Sequence, residues 1–164
     1  MYYNNESSHS SEPEGIGGWL ILPAIGLCLA PFRILLSFIK DTLPTFSDEI
    51  WIPLTQESSS VYHPLWKPLL IAEAASDILL MAIGIVNLIL FFQKKKFFVK
   101  MIIITLISTF LFNILDIFLV SLIPQAFSLV KAEGLYGIVR SFLAGAIWIP
   151  YFLISKRVKN TFTE

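Results

Sequence analysis

Five charged residues lie inside long apolar segments, and they are the positions of this sequence most able to do chemistry: Arg33, Glu73, Asp77, Asp116 and Arg140. An unpaired charge deep in a bilayer costs roughly 2.5–3.5 kcal/mol or more, so such residues pair with one another or mark a path for ions or protons. Counted from the predicted outer edge at about 1.5 Å per residue, all five lie about 6–12 Å deep. We therefore predict one intramembrane network of two arginines and three carboxylates.

The five residues differ in how strongly they indicate a function. Arg33, Glu73 and Arg140 lie near enough to the edge for their charged groups to reach the interface, and snorkelling or helix packing is the simpler interpretation of them. Asp77 and Asp116 have short side chains and lie deeper, so a functional and a structural role both stay open. Polar support for the network is predicted from two residues on the inward-facing stripes of their helices, Asn113 and Tyr151.

The composition indicates the elements that must position these charges. The chain has 164 residues, of which 55% are hydrophobic and 15% charged, whereas soluble domains carry about 25% charge. Four apolar segments are each long enough to cross the ~30 Å hydrocarbon layer as a helix. We predict an all-α polytopic membrane protein with a four-helix membrane domain over residues 16–156; its helices span about 17–39, 69–92, 101–123 and 136–154.

The segments outside these helices are polar. Residues 1–15 are rich in Ser, Asn and Glu without Lys or Arg, which predicts a disordered tail. Residues 40–68 form a predicted outer loop, since their four prolines argue against one regular helix, although a short amphipathic piece on the membrane stays open. Residues 157–164 form a predicted second tail.

The distribution of basic residues predicts the orientation. The loop between the second and third helices holds Lys94, Lys95, Lys96 and Lys100, and the C-terminal tail is also basic. A four-helix topology puts that loop and that tail on one side, and basic residues favour the cytoplasmic side. We predict a multi-pass protein of the cytoplasmic (inner) membrane with both termini in the cytoplasm.

The remaining inventory excludes most enzymatic chemistry. His9 and His63 are the only histidines and lie outside the apolar segments. The sequence has no metal-ligand spacing, no Ser–His–Asp set and no phosphate-binding loop. The formal net charge of zero gives no indication of nucleic-acid binding. We predict no metal, no cofactor and no enzymatic activity; lipid modification is a distant exception that no nucleophile–base pair supports.

Two glycines and a tryptophan open the first segment, Gly17-Gly18-Trp19, and a longer motif closes the last: Trp148, Pro150, Tyr151, Ser155, Arg157, Val158, Thr161 and Phe162. Physically, this end is an anchored, kinked helix terminus, or else a cytoplasmic docking patch for a partner. The two stretches resemble a family of small membrane proteins, domain of unknown function 2569, and the likeness runs from about residue 15 to 162. The resemblance implies a bacterial four-helix membrane protein without established activity, and it supplies no catalytic residues.

Two functional hypotheses follow. The first is an accessory or structural subunit that binds an unidentified membrane protein, because the chain is small and lacks catalytic groups. The second is a small transporter or ion- or proton-handling protein, in which Asp77 and Asp116 carry the mechanism. The lipid bilayer is a partner in both hypotheses, and a homo-oligomer is compatible with either.

Overall fold

The computed structural model describes residues 14–163, and their regular structure is helical. Four of the helices are long and apolar enough to cross a membrane: Gly18–Phe46, Trp66–Phe92, Phe97–Ser121 and Gly134–Ile154. The predicted all-α class with four membrane-spanning helices is confirmed. The α-helices are α1 Ile21–Ser37, α2 Asp48–Thr55, α3 Trp66–Phe92, α4 Phe97–Ser121, α5 Pro124–Ile154 and α6 Lys156–Thr161.

The first span continues beyond the predicted end at residue 39. A π-helical turn at Phe38–Thr42 and a 3-10 turn at Leu43–Phe46 extend α1 without a break. Side chains close these turns: Ser37 Oγ donates to Asp41 at 2.9 Å, and Thr45 Oγ1 donates to the Thr42 carbonyl at 2.7 Å. Pro44 is tolerated because it lies at the start of the 3-10 turn, where an N–H has no helical partner.

Three further segments predicted as loop or tail contain helix. The predicted break before residue 136 is absent, because α5 begins at Pro124, a residue suited to the first position of a helix. In the predicted outer loop, 40–68, Asp48–Thr55 forms the short helix α2. The predicted tail from residue 157 contains most of α6. Residues 1–13 of the predicted N-terminal tail lie outside the described part of the chain.

The long helices pack mainly as two pairs, α1 with α3 and α4 with α5. Small residues on α5 bring it close to α4. A Cβ added at Gly134 would lie 2.8 Å from Ile117 Cδ1, and one at Gly137 would lie 3.6 Å from Asn113 Oδ1. The contact between α3 and α4 is smaller, but a hydrogen bond from Asn87 Nδ2 to Thr105 Oγ1, 3.0 Å long, crosses it.

Buried apolar side chains form one core at each end of the bundle. The end that carries the turn between α3 and α4 and the start of α6 is called the termini end, and the opposite end is the far end. The far-end core consists of Leu69, Val120, Ile123 and Ala126. The termini-end core is larger and consists of Leu20, Leu27, Phe91, Phe98, Ile102, Phe152, Val158 and Phe162.

Candidate functional site

Four carboxylates gather towards the far end, and we call them the acidic cluster: Asp41, Glu73, Asp77 and Asp116. Glu73 lies close enough to the other three to feel their negative charge, most strongly that of Asp116. Asp77 Oδ2 accepts a hydrogen bond of 2.7 Å from Thr42 Oγ1. The cluster thus joins the extension of α1 to α3 and α4, and it contains the three carboxylates predicted from sequence.

The two arginines of the predicted network lie elsewhere. Arg33 and Arg140 are both exposed on their helices. Within residues 14–163, neither has a hydrogen bond or ion pair to a described residue. Since the first span extends to Phe46, Arg33 lies about 20 Å from that end of the span, near the middle of the helix. Pairing between the arginines and the carboxylates therefore stays a prediction.

Exposure differs within the acidic cluster. Glu73 and Asp41 are exposed, while Asp77 and Asp116 are half-buried. Among the described residues, no three His, Cys, Asp or Glu side chains are grouped so that they could hold a metal ion. Gathered negative charge in hydrocarbon has to be offset by protons or by positive groups. The arrangement can therefore hold protons or bind a cationic surface.

Sequence analysis missed Asp41 and Thr42. Both follow Lys40, where the change to polar residues indicated the end of the helix. A signal was present, since Ser37 and Asp41 are spaced four apart and so lie on one helix face. Continuing α1 by one turn would have put Asp41 in the membrane segment.

The two residues predicted as polar support, Asn113 and Tyr151, lie towards different ends of the bundle. Asn113 lies one turn from Asp116 on α4 and faces Gly137. Tyr151 lies at the termini end, far along α5 from the acidic cluster. Its ring packs edge-on against Trp148, with ring centroids 5.8 Å apart, and against Phe152 at the same distance. Tyr151 supports the termini end and not the carboxylates.

The two motif stretches meet at the termini end. The guanidinium of Arg157 lies against the glycine pair: a Cβ added at Gly17 would lie 2.6 Å from Arg157 Nη1, and one at Gly18 would lie 3.6 Å from Cζ. Gly18 has φ +54°, a conformation that favours glycine. Thr161 Oγ1 donates to the Gly15 carbonyl at 3.3 Å. Each stretch therefore positions the other.

The other motif residues complete this end of the protein. Ser155 Oγ accepts a hydrogen bond from the Val158 N–H at 3.4 Å, which caps α6. Val158, Thr161 and Phe162 are buried, so α6 belongs to the termini-end core. A cavity of about 300 Å³ lies beside it, lined by Gly18, Trp19, Tyr151, Ser155, Lys156 and Arg157. Pro150 lies in α5 and lines an apolar groove of about 350 Å³ along α4.

Residues 13–163, which include both motif stretches and all four spans, match a family described as protein of unknown function (DUF2569). The chain belongs to this family. The resemblance seen in the glycine pair and the C-terminal motif is thereby confirmed over nearly the whole sequence. The comparisons with curated proteins and with solved structures each found no match. The DUF2569 description names no activity, so the function has to be argued from the geometry.

Proposed function

We propose that this DUF2569 protein is a binding subunit that acts through a second membrane protein, which covers the acidic cluster. The observation that carries the proposal is the position of Glu73. It is exposed on α3, it lies beside Asp77 and Asp116, and no arginine among the described residues pairs with it. A face of this kind fits a transmembrane helix that presents Lys or Arg at the same depth.

The free energy of charges in a bilayer supports this proposal. A carboxylate at lipid depth costs a few kcal/mol unless it is paired. An ion pair with a partner helix removes much of this cost, because Coulomb attraction is stronger in a medium of low dielectric constant. Like-charged neighbours raise the cost of leaving Glu73 uncovered, since Asp116 and Asp77 repel it. The isolated chain is thus less favourable than an assembly that supplies positive charge.

A second copy of the chain is one form of such a partner. It carries Arg33 and Arg140, both exposed in its spans. Asn113 faces Gly137 across the α4–α5 interface, which places Arg140 about 9 Å closer to the termini end than Asp116. A partner of a different sequence is therefore the better match in depth, and self-association is an outcome that the experiment distinguishes.

Photo-crosslinking tests this proposal on the relevant helix face. A photoreactive residue replaces Ser76, one turn from Glu73 on the same face of α3, in the full chain in its native membrane. The matched control replaces Ile78, which is 53% exposed and lies about 140° around the helix from Glu73. We expect position 76 to crosslink to a protein with a basic residue in a membrane helix, and position 78 to lipid. Crosslinks to lipid alone at both positions would refute the proposal.

Proton handling is a second candidate, and a different observation favours it. Asp77 is held by Thr42 inside a group of four carboxylates, so a proton is an alternative way to offset the repulsion. In liposomes, the purified protein would then dissipate an imposed pH gradient, and Asp77→Asn and Asp116→Asn would each abolish the flux. Equal flux in both variants, folded normally, would rule out this candidate.

A further inference from the structure

A half-buried guanidinium lies at the termini end without a charge partner among residues 14–163. Arg157 is partly buried against the glycine pair, and within residues 14–163 no hydrogen bond or ion pair joins its side chain to a described residue. A partly buried charge without compensation is unfavourable, and a guanidinium has five N–H donors to satisfy. The position of Arg157 indicates that an acceptor other than the described residues completes this site.

The lining of the adjacent cavity has the chemistry of an anion site. Its polar side chains are Trp19, Tyr151, Ser155, Lys156 and Arg157, each of which carries at least one hydrogen-bond donor, and no carboxylate of residues 14–163 lines it. The Ser155 hydroxyl accepts from Val158 N–H, so its own proton is left to donate. A volume of about 300 Å³ is large enough for a phosphate with part of the group attached to it.

The surroundings of the cavity suit a phosphate. Arg binds phosphate with two parallel hydrogen bonds, and Lys156 adds a second positive charge. Trp19 is 73% exposed beside the cavity, as expected for a tryptophan at a membrane–water interface. The turn Lys94–Lys96 lies at the same end of the bundle and adds basic charge there. Phosphate groups of lipids lie at this depth.

We propose that the cavity bounded by Gly18, Trp19 and Arg157 binds a phosphate group, carried by a lipid headgroup or by a free phosphoryl compound. The site is at the opposite end of the bundle from the acidic cluster and does not depend on the binding-subunit proposal. The glycine pair lets Arg157 lie here, because a side chain at Gly17 would meet Arg157 Nη1 at 2.6 Å and displace it, and Gly18 has φ +54°. The motif thus holds the guanidinium in position for two hydrogen bonds to one phosphate.

Two probes distinguish the sources of the phosphate. The full chain in zwitterionic detergent is titrated with inorganic phosphate by calorimetry, and bound phosphatidylglycerol and phosphatidylcholine are measured by native mass spectrometry. Arg157→Gln is compared with Lys159→Gln, a matched loss of charge on α6 at an exposed residue that does not line the cavity. We expect Arg157→Gln to weaken binding about tenfold or more and Lys159→Gln to leave it nearly unchanged.

Two further variants keep the test decisive if Arg157→Gln does not fold. Gly17→Ala keeps the charge but displaces the guanidinium, and Arg157→Lys keeps the charge but loses the fork; both should weaken binding. Arginine-dependent binding of inorganic phosphate would identify a free phosphoryl ligand. Arginine-dependent binding of phosphatidylglycerol without binding of inorganic phosphate would identify a lipid. Equal binding by the wild type and the folded Arg157 and Gly17 variants, or no binding of either probe by the wild type, would overturn the proposal.

Discussion

Thr42 and Asp77 are joined by a hydrogen bond of 2.7 Å, from Oγ1 to Oδ2, across the interface between the extension of the first span and α3. Thr42 is 4% exposed and Asp77 is half-buried, so this bond is partly shielded from the surroundings. It fixes the irregular end of the first span, Phe38–Phe46, against α3 and thereby brings Asp41 to the other carboxylates. This bond is therefore one of the contacts that form the acidic cluster.

Removing the Thr42 hydroxyl should destabilise the bundle. Thr42→Val keeps the shape of the side chain and removes only the donor, and we expect the free energy of unfolding in detergent to fall by about 1–2 kcal/mol. Thr42→Ser keeps the donor and should stay closer to the wild type. Denaturant titration of the three proteins measures the difference. A Thr42→Val variant as stable as the wild type would mean that the bond contributes nothing.

Neutralising one carboxylate should stabilise the isolated chain. Asp116 adds the strongest repulsion that Glu73 feels from another charge, so Asp116→Asn should raise the free energy of unfolding of the purified monomer by on the order of 1 kcal/mol. Asp48→Asn, at an exposed position outside the spans, is the control and should change little. If Asp116→Asn instead lowered stability, Asp116 would be paired with a positive group such as Arg140.

Substitutions in the C-terminal segment around α6 should destabilise the protein as substitutions in a hydrophobic core do. Phe162 is 3% exposed, stacks on Phe98 with centroids 4.8 Å apart, and lies 5.5 Å from the Phe91 ring. Phe162→Ala should cost about 3–5 kcal/mol of unfolding free energy. Phe97→Ala removes the same ring from a position that is 56% exposed and should cost far less. Similar losses for both variants would contradict the packing of α6 into the bundle.

The close approach of α4 and α5 depends on Gly134. A methyl group there would lie 2.8 Å from Ile117 Cδ1 and 3.1 Å from Cγ1. We expect Gly134→Ala to destabilise the protein by about 1 kcal/mol, as overpacking outweighs the gain in helix propensity. Ile117→Val, which removes Cδ1, should restore stability in the double variant. Gly26→Ala is the control, because a Cβ there meets nothing within 4 Å. If the effects of Gly134→Ala and Ile117→Val on the free energy of unfolding were simply additive, the contact between the two residues would be refuted.

The spans were predictable because the length of an apolar segment is a strong signal. The helical extensions of these spans were not predictable, because polar residues and proline there are also typical of helix ends. Lys40 and Asp41 indicated a helix end, yet the Ser37–Asp41 hydrogen bond carries the chain through a π turn. Pro124 follows the end of the third span, as predicted, but it also begins the next helix in place of the predicted loop. Proline favours both situations, so composition alone does not decide between them.

The two functional regions were predictable to different degrees. Glu73, Asp77 and Asp116 were found because any charge in an apolar segment stands out. The contact between Gly17 and Arg157 was not, because it joins residues 140 positions apart and depends on the tail folding back. The charged residues of α6 indicated a solvated tail, whereas Val158 and Phe162, four apart on one face, were the signal for burial.

The central claim is that another membrane protein covers the acidic cluster, and the mass of the gently extracted native assembly tests it most directly. Wild type, a Glu73→Gln/Asp116→Asn double variant and the Asp48→Asn control are compared by native mass spectrometry from their own membrane. We predict that wild type and control retain a stoichiometric membrane subunit with a basic residue in a membrane helix, and that the double variant loses it. A wild-type protein extracted as a single chain, or an assembly that survives both substitutions, would contradict the claim.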